Sequence, residues 1–405
     1  MILKTAKRHI IAVLVLLPLI SFCQKEDAIL KIGHKISVRS KVLNETRDIW
    51  IYLPPSYADR YCQSTPYPVL YVLDGDAHFH SLSGMIQILG SGVNWSFVIP
   101  EMIIVAIPNT NRTRDLTPTN SIKGPDDQTL DYQKSSGGST NFLRFLKDEL
   151  APKIDSSYRT IPYRILTGHS YGGLTVIHAL YTIPQTFNAY ISIDPSLWWD
   201  NRLLVTQGKG YFKSTNLMGK SLFLAQANTL NVGETNNGFD SIKEFAIQLE
   251  NSNTSGLRWN YQYYSDDNHG SLAFIAEYDA LRFIFKNYFV NFNEVASAKE
   301  MKERYTRFSN ETKVSFNPPE RVVQLFGSVA LSLKKYDVAQ EYFQMNIENY
   351  PKSSSAYANM GQLWKIKGDN KKALEYYEKS VTIYPDNEDS RNNVKSLKEK
   401  IQLKK

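Results

Sequence analysis

Residues 168–173 read Gly-His-Ser-Tyr-Gly-Gly, and Asp-Asn-His-Gly-Ser stands at 267–271. The first fits G-x-S-x-G, a sharp strand-to-helix turn that holds a serine hydroxyl clear of a sheet edge, where it can attack a carbonyl carbon. Its flanks suit that geometry. Residues 163–167 (Tyr-Arg-Ile-Leu-Thr) read as a short strand, and residues 174–180 have helical spacing with no breaker. Gly168 and Gly172 give the turn room, and Ser170 falls at a helix N-terminus.

A serine nucleophile needs a base. The chain carries seven histidines: His9, His34, His78, His80, His169, His178 and His269. In hydrolases built on this turn the chain order is serine, acid, histidine, which leaves His178 and His269. His178 lies eight residues up the helix, roughly 12 Å along its axis at about 1.5 Å per residue, and reads as a packed helix histidine. His269 follows a strand-like run over 259–265 and sits in a polar loop closed by Gly270. That is where a general base takes the serine proton and later returns it to the leaving alcohol.

The acid stays open at this level. The carboxylates between Ser170 and His269 are Asp194, Asp200, Glu234, Asp240, Glu244, Glu250, Asp266 and Asp267. The usual place is the loop after the penultimate strand, residues 221–227, yet Asn228-Thr229-Leu230-Asn231 follows it. Asp240 is the favoured candidate and could equally cap a helix over 241–250. Glu234, Asp267 or a serine–histidine pair with no third member are the alternatives. For the oxyanion, two backbone N–H groups are needed. Tyr171 supplies one, and Asp76, with Gly75 close behind, supplies the other from the turn after residues 67–73.

The elements that position these groups alternate. Strands are expected at 34–43, 46–53, 67–73, 102–107, 163–167, 189–193, 222–227 and 259–264, with helices between most of them, including 140–150 and 171–183. This predicts an α/β fold: a mostly parallel eight-stranded sheet covered on both faces and closed by a helix over 272–289. Beyond a connection at 291–318, expected to be partly helical over 294–308, the chain repeats. Gly327, Ala339, Phe343 and Pro351 recur as Gly361, Ala373, Tyr377 and Pro385, each 34 residues later. That period with those residue types is the tetratricopeptide signature, giving repeats at 320–353 and 354–387 and a capping helix in 386–405. A hydrolase domain over 24–290 and an all-α module over 319–405 follow, and removing the module is expected to leave small-ester turnover largely intact.

The N-terminus reads as a targeting segment. Lys4, Lys7 and Arg8 precede an apolar run from Ile10 to Ile20 and then Ser21-Phe22-Cys23, a signal peptide cleaved before Gln24. Acylation at Cys23 is the alternative, disfavoured by Phe22 beside it. Periplasmic or secreted localisation follows, with no transmembrane segment in the mature chain. Losing those three cations takes the formal charge from +7 to +4, too mild for a nucleic-acid binder. Cys62 would then stand alone, so no intramolecular disulfide forms. No Cys/His metal spacing or phosphate-binding glycine loop occurs, and no cofactor is expected.

Residues 30–290 resemble the putative esterase family, the esterase D-like α/β-hydrolases, and most closely its siderophore-esterase branch. Besides the serine turn and His269, the matching segments are Tyr71-Val72-Leu73-Asp74-Gly75-Asp76, Arg112-Thr113-Arg114-Asp115-Leu116-Thr117-Pro118, Gly137-Gly138-Ser139-Thr140-Asn141-Phe142 and Asp194-Pro195-Ser196-Leu197-Trp198-Trp199-Asp200. The resemblance implies an α/β-hydrolase fold and an ester substrate of siderophore, aromatic or acetyl type. Nothing is carried over at the acid, where the chain departs from the family. Arg114, in a polar loop on the active-site side, is a candidate to hold an acidic or catecholate group, or a structural turn with Asp115. Trp198 is a candidate pocket wall, with packing as its alternative. The expected activity is exported serine ester hydrolysis through an acyl-enzyme. Acyl transfer at the same site, or an inactive scaffold binding a protein partner through the repeats, are the rivals.

Overall fold

The computed structural model describes residues 30–59, 65–93, 97–125, 128–229, 237–252, 256–289 and 297–403. The targeting segment at 1–23, Cys62 and Glu234 lie outside the described residues.

Eight strands form one sheet: β1 (His34–Ser40), β2 (Glu45–Tyr52), β3 (Tyr67–Leu73), β4 (Ile103–Ile107), β5 (Thr160–His169), β6 (Ala189–Ile193), β7 (Ser221–Ala227) and β8 (Arg258–Tyr264). Their spatial order is β1-β2-β4-β3-β5-β6-β7-β8. β1 and β2 pair antiparallel, β2 meets β4 antiparallel, and all remaining pairs are parallel. Composition accounts for this division. β3, β4, β6 and β7 are apolar runs buried at every position, as strands covered on both faces must be, whereas edge strand β1 alternates exposed and covered residues.

The helices around the sheet are α1 (Gly75–Gly90), α2 (Arg112–Asp115), α3 (Ser139–Arg144), α4 (Ala151–Ser157), α5 (Tyr171–Thr182), α6 (Trp199–Ser214), α7 (Asn237–Asn251) and α8 (Leu272–Ile284). A π-turn at Phe145–Leu150 joins α3 to α4. Successive strand residues point to opposite faces. Thus Val69, Tyr71 and Leu73 join one core with Phe142, Phe145, Val176 and Ile177. Leu70 and Val72 join the other with Leu82, Ile86, Ala280 and Leu281.

The chain reverses its direction of travel across the sheet between β3 and β5: β3 is followed outward by β4 on one side, and β5 by β6 on the other. The loops leaving neighbouring strands there diverge to opposite faces and leave a crevice at the carboxyl ends. Leu73 ends β3 and His169 ends β5, and Val72 pairs with Thr167, so Asp74 and Ser170 leave the sheet side by side.

The C-terminal helices are α9 (Ala298–Thr312), α10 (Glu320–Ser332), α11 (Tyr336–Asn349), α12 (Ser354–Ile366), α13 (Asn370–Ile383) and α14 (Glu388–Gln402). The 34-residue register has a steric basis. A Cβ on Gly327 would lie 2.4 Å from the Phe343 ring, and one on Gly361 would lie 2.9 Å from the Tyr377 ring. Only glycine lets the two helices of each repeat approach so closely.

These helices are not a detached module. Met301, Tyr305 and Phe308 of α9, Val322, Val323 and Phe326 of α10, and Tyr342 and Met345 of α11 belong to the same continuous core as β3, α1 and α8. Phe316 bridges them, with its ring 5.2 Å from that of Tyr163 on β5 and 5.0 Å from that of Phe308. Burying one such aromatic side chain stabilises by about 3–5 kcal/mol as judged by truncation to alanine. The domain division made from the sequence thus gains a packing detail: the first repeat shares the hydrolase core. Deleting residues 319–405 should lower the thermal unfolding midpoint by at least about 5 °C or abolish soluble expression. An unchanged midpoint would show that the shared core is not stabilising.

Candidate active site

β5 delivers Ser170 into a conformation few residues tolerate, φ 62° and ψ −117°, and such strain persists only where neighbours hold it. Its N–H donates to Ile193 O at 3.0 Å, and its carbonyl accepts from Leu174 N at 3.0 Å and Ser196 N at 3.2 Å. Gly168 is required because the turn folds back on itself: a Cβ there would meet the Gly172 carbonyl carbon at 2.5 Å. The Ser170 Oγ lies 3.4 Å from Ser196 Oγ. α5 begins directly at Tyr171, so the Tyr171 N–H is one of the first-turn donors without an intrahelical acceptor.

β6 is the neighbour of β5, and the first residue past its end is Asp194, at φ 38°. Its N–H donates to Ala225 O at 2.8 Å, and one carboxylate oxygen accepts from Ala227 N at 2.9 Å. The other lies 2.5 Å from His269 Nδ1. Asp194 is buried, while the His269 side chain is about half exposed, at 49%. A carboxylate only accepts, so Nδ1 is the protonated nitrogen and the lone pair resides on Nε2.

The acid candidates are thus rearranged. Asp240, favoured from the sequence, is an exposed residue on α7 and is not the partner of His269. Asp267 accepts from Ser271 Oγ at 2.8 Å and shapes the loop rather than facing the ring. Asn228, at the position after β7 where an acid is usual, braces the same loop: its N–H donates to Asp267 O at 2.8 Å and its amide to Ser265 O at 3.1 Å. Asn268 completes the support, its side-chain oxygen accepting from Gly270 N at 2.9 Å and Ser271 N at 3.1 Å before α8 starts. Asp194 was legible in one respect, as the first residue after the strand neighbouring the nucleophile strand, but only the strand order makes that position significant.

Asp76 lies in the first turn of α1, so its N–H, like that of Tyr171, is one of the donors a helix leaves free. The turn before it is held by Asp74, left-handed at φ 51°. The Asp74 carboxylate accepts from Asn109 Nδ2 at 2.7 Å and from Arg112 Nε and Nη2 at 2.6 and 3.0 Å. Arg112 also reaches His169 O at 3.3 Å and lies 5.2 Å over the Tyr171 ring. It therefore ties the two turns together.

Arg114, the sequence candidate for substrate binding, points elsewhere. Its guanidinium donates to Glu45 and to Asp115, and Arg47 is engaged with the same two carboxylates. It is a member of a partly buried ion network with Glu45, Arg47 and Asp115, and Arg112 is the arginine beside the serine. Trp198 is half-buried, its ring centroid 6.2 Å from Tyr171 and 5.8 Å from Trp199. Trp199 is buried and donates from Nε1 to Thr119 Oγ1 at 3.1 Å. The pair divides its roles: Trp199 packs and Trp198 borders the serine turn.

Two histidines set aside from the sequence also lie here. The His169 ring is 4.4 Å from that of His269 and 6.3 Å from that of His78. The Nδ1 of His78 is 3.1 Å from buried Glu277 on α8. His178 is a packed helix residue, its Nδ1 2.6 Å from Ser139 Oγ. Among the described residues no cluster of His, Cys, Asp and Glu suited to a metal occurs, and no helix is long and apolar enough to cross a membrane.

Comparison with known proteins accords with this arrangement. The profile of the family described as Putative esterase matches residues 40–232, and a tetratricopeptide repeat profile matches residues 354–387. The chain is 29% identical over 226 residues to Ferri-bacillibactin esterase BesA of Bacillus subtilis, covering 54% of this chain and 78% of that protein. A solved IroE-like serine hydrolase from Shewanella oneidensis superposes with a TM-score of 0.72 at 30% identity, over 78% of this chain and 99% of the other. An uncharacterised protein from Capnocytophaga ochracea shares the fold at 17% identity and a TM-score of 0.59, over 90% of this chain and 99% of its own. Fold, site and relatives define a carboxylic ester hydrolase carrying a C-terminal tetratricopeptide repeat. The chain belongs to the Putative esterase family.

Buried histidines make stability pH-dependent. Burial holds the His178 imidazole down to about 4, against 6.5 in the open chain. Between those values the unfolded chain binds a proton that the folded chain refuses, so stability is lost as pH falls from about 6.5 towards 4. The loss is ~3 kcal/mol at most for one such group. The thermal midpoint should drop from pH 7 to pH 4.5, and the double variant His178→Phe, Ser139→Ala should show a smaller drop. Equal drops would contradict the assignment.

Proposed function

We propose that the chain is an exported serine esterase working through an acyl-enzyme, with Ser170 as nucleophile, His269 as general base and Asp194 as its acid. The observation that carries this reading is the 2.5 Å contact between Asp194 and His269 Nδ1, made at the strand end next to the serine turn. In the first step Ser170 Oγ bonds to the ester carbonyl carbon as its proton passes to His269 Nε2. The resulting imidazolium is favoured by the buried Asp194 carboxylate. The carbonyl oxygen, now anionic, accepts from the Tyr171 and Asp76 N–H groups, which lie at two helix N-termini and need no reorganisation. Collapse expels the alkoxide, which takes the proton from His269. Water then repeats the sequence against the acyl-Ser170 ester and releases the acid.

For the substrate, we infer an ester of a siderophore. The relatedness to Ferri-bacillibactin esterase BesA supports this class. So does the wall beside the serine, where Trp198, Tyr171 and Arg112 combine aromatic faces with a cation. Export rests on the charged and apolar pattern of residues 1–23. A protein partner for the repeats is consistent with the repeat class and is part of the same proposal.

In hydrolysis of p-nitrophenyl butyrate, Ser170→Ala should lose at least about 10³-fold in kcat, and Asp194→Asn about 10²–10⁴-fold with KM little changed. Asp240→Asn should match the wild type. If Asp194→Asn kept its activity while Asp240→Asn lost it, the acid would be reassigned. Against a panel of catecholate trilactone, feruloyl and acetyl-sugar esters, the trilactone should give the highest kcat/KM; a preference for the acetyl sugar would overturn the substrate class.

A further inference from the structure

The His269 ring is held at one nitrogen by Asp194, but a single hydrogen bond leaves the ring free to swing about that contact. Half of the side chain is open to solvent, so the surroundings restrain it on the inner side only. There the neighbour is His169. The two ring centroids are 4.4 Å apart, with planes inclined at 40°. His169 itself has little freedom. It is the last residue of β5, its backbone paired in the sheet opposite Ile193, and its carbonyl accepts from Arg112. On its far side the His78 ring of α1 meets it edge-on at 6.3 Å and 62°. His78 is in turn anchored by Glu277 of α8, the helix that follows the base loop. The packing runs without a break from Glu277 through His78 and His169 to His269.

We propose that His169 is a positioning residue for the base: its ring is the fixed wall that keeps the His269 imidazole in the orientation presenting Nε2 to Ser170. This rests on the serine–histidine reading above and adds a residue to it.

Three features support a wall rather than an acid or base. The His169 Nε2 is buried and makes no hydrogen bond of good geometry among the described residues, and the imidazole's polar interaction is with the His269 backbone, so the ring is tied to the His269 loop by packing and by that contact. Burial, followed by the neighbouring His269 and His78 charges, holds its imidazole down to about 4. The ring therefore stays neutral near pH 7, and a neutral aromatic face tolerates the imidazolium that forms on His269, whereas a second cation would oppose it. The charged and titratable groups around it are His78 and Glu277 from α1 and α8, Asp194 and His269 on the other side, and Arg112 at its carbonyl. None of these donates a proton to Ser170 in the scheme above.

A misplacement of about 1 Å in a reacting group costs roughly 10²-fold in rate. His169→Ala should accordingly lower kcat by about 10–100-fold with KM changed less than about 3-fold, while His169→Phe, which restores a flat ring of similar size, should recover kcat to within about 3-fold of wild type. Thermal midpoints accompany each variant, and His169→Leu replaces the alanine variant if that one does not fold, since it fills the space without a flat face. A soluble His169→Ala or His169→Leu protein with wild-type kcat overturns the proposal, as does His169→Phe losing as much as alanine. Ser170→Ala and His269→Ala run in the same assay separate the two failures. If they retain activity, the serine–histidine reading falls; if they are inactive and His169→Ala is not, only the wall does.

Discussion

One contact organises the active end of this molecule, the hydrogen bond from the buried Asp194 carboxylate to His269 Nδ1. It places the proton on Nδ1 and leaves the lone pair on Nε2, the nitrogen the proposed mechanism uses as base. It is available only because β6 lies beside β5, so that the first residue past β6 emerges next to the serine turn. The other carboxylate oxygen accepts from the Ala227 N–H, which holds the group in place without neutralising it. The rest follows from that arrangement. Asn228, freed from any role as an acid, becomes a brace for the base loop. Arg112 couples the serine turn to the Asp74 turn. A buried carboxylate paired with an exposed ring keeps its orientation when solvent competes for the ring but not for the acid.

How much of this could be read from residues alone depended on the range of the interaction. The serine turn is local: Gly168, Ser170 and Gly172 specify it within five positions, and a strand before and a helix after confirm the context. The strands were legible for a similar reason. Buried parallel strands such as 67–73 and 189–193 are continuous apolar runs whose limits the structure reproduces, whereas the edge strand β1 stops at Ser40, short of the expected 43, because the turn to β2 begins there. The carboxylate that meets His269 was not singled out. Its identity depends on which strands are neighbours, information absent from spacing along the chain, and the default position after β7 holds an asparagine. Arg114 and Arg112 show the same limit at closer range. Two arginines two residues apart on a short helix face different carboxylates, and only coordinates tell which one faces the serine.

The repeats illustrate a complementary point. Their 34-residue period is a local steric rule, glycine under an aromatic ring, and was readable. Their attachment is a tertiary fact. Phe308 and Phe316 of the connection, with Phe326 and Tyr342 of the first repeat, complete the core beneath the sheet face that carries α1 and α8. α8 carries Glu277, which anchors His78, and the base loop precedes α8 directly. The packing of the tail and the placement of the His269 loop thus share one packed layer.

The account is tested most directly by a crystal structure of the protein phosphonylated by a fluorophosphonate, which mimics the tetrahedral intermediate. The phosphorus should be bonded to Ser170 Oγ, with His269 Nε2 about 2.6–3.2 Å from that oxygen. A phosphonyl oxygen should lie about 2.7–3.1 Å from the Tyr171 and Asp76 nitrogens, and His269 Nδ1 should still be on Asp194. An adduct on another residue, or a His269 ring turned away from Asp194 with a different carboxylate in its place, would contradict it.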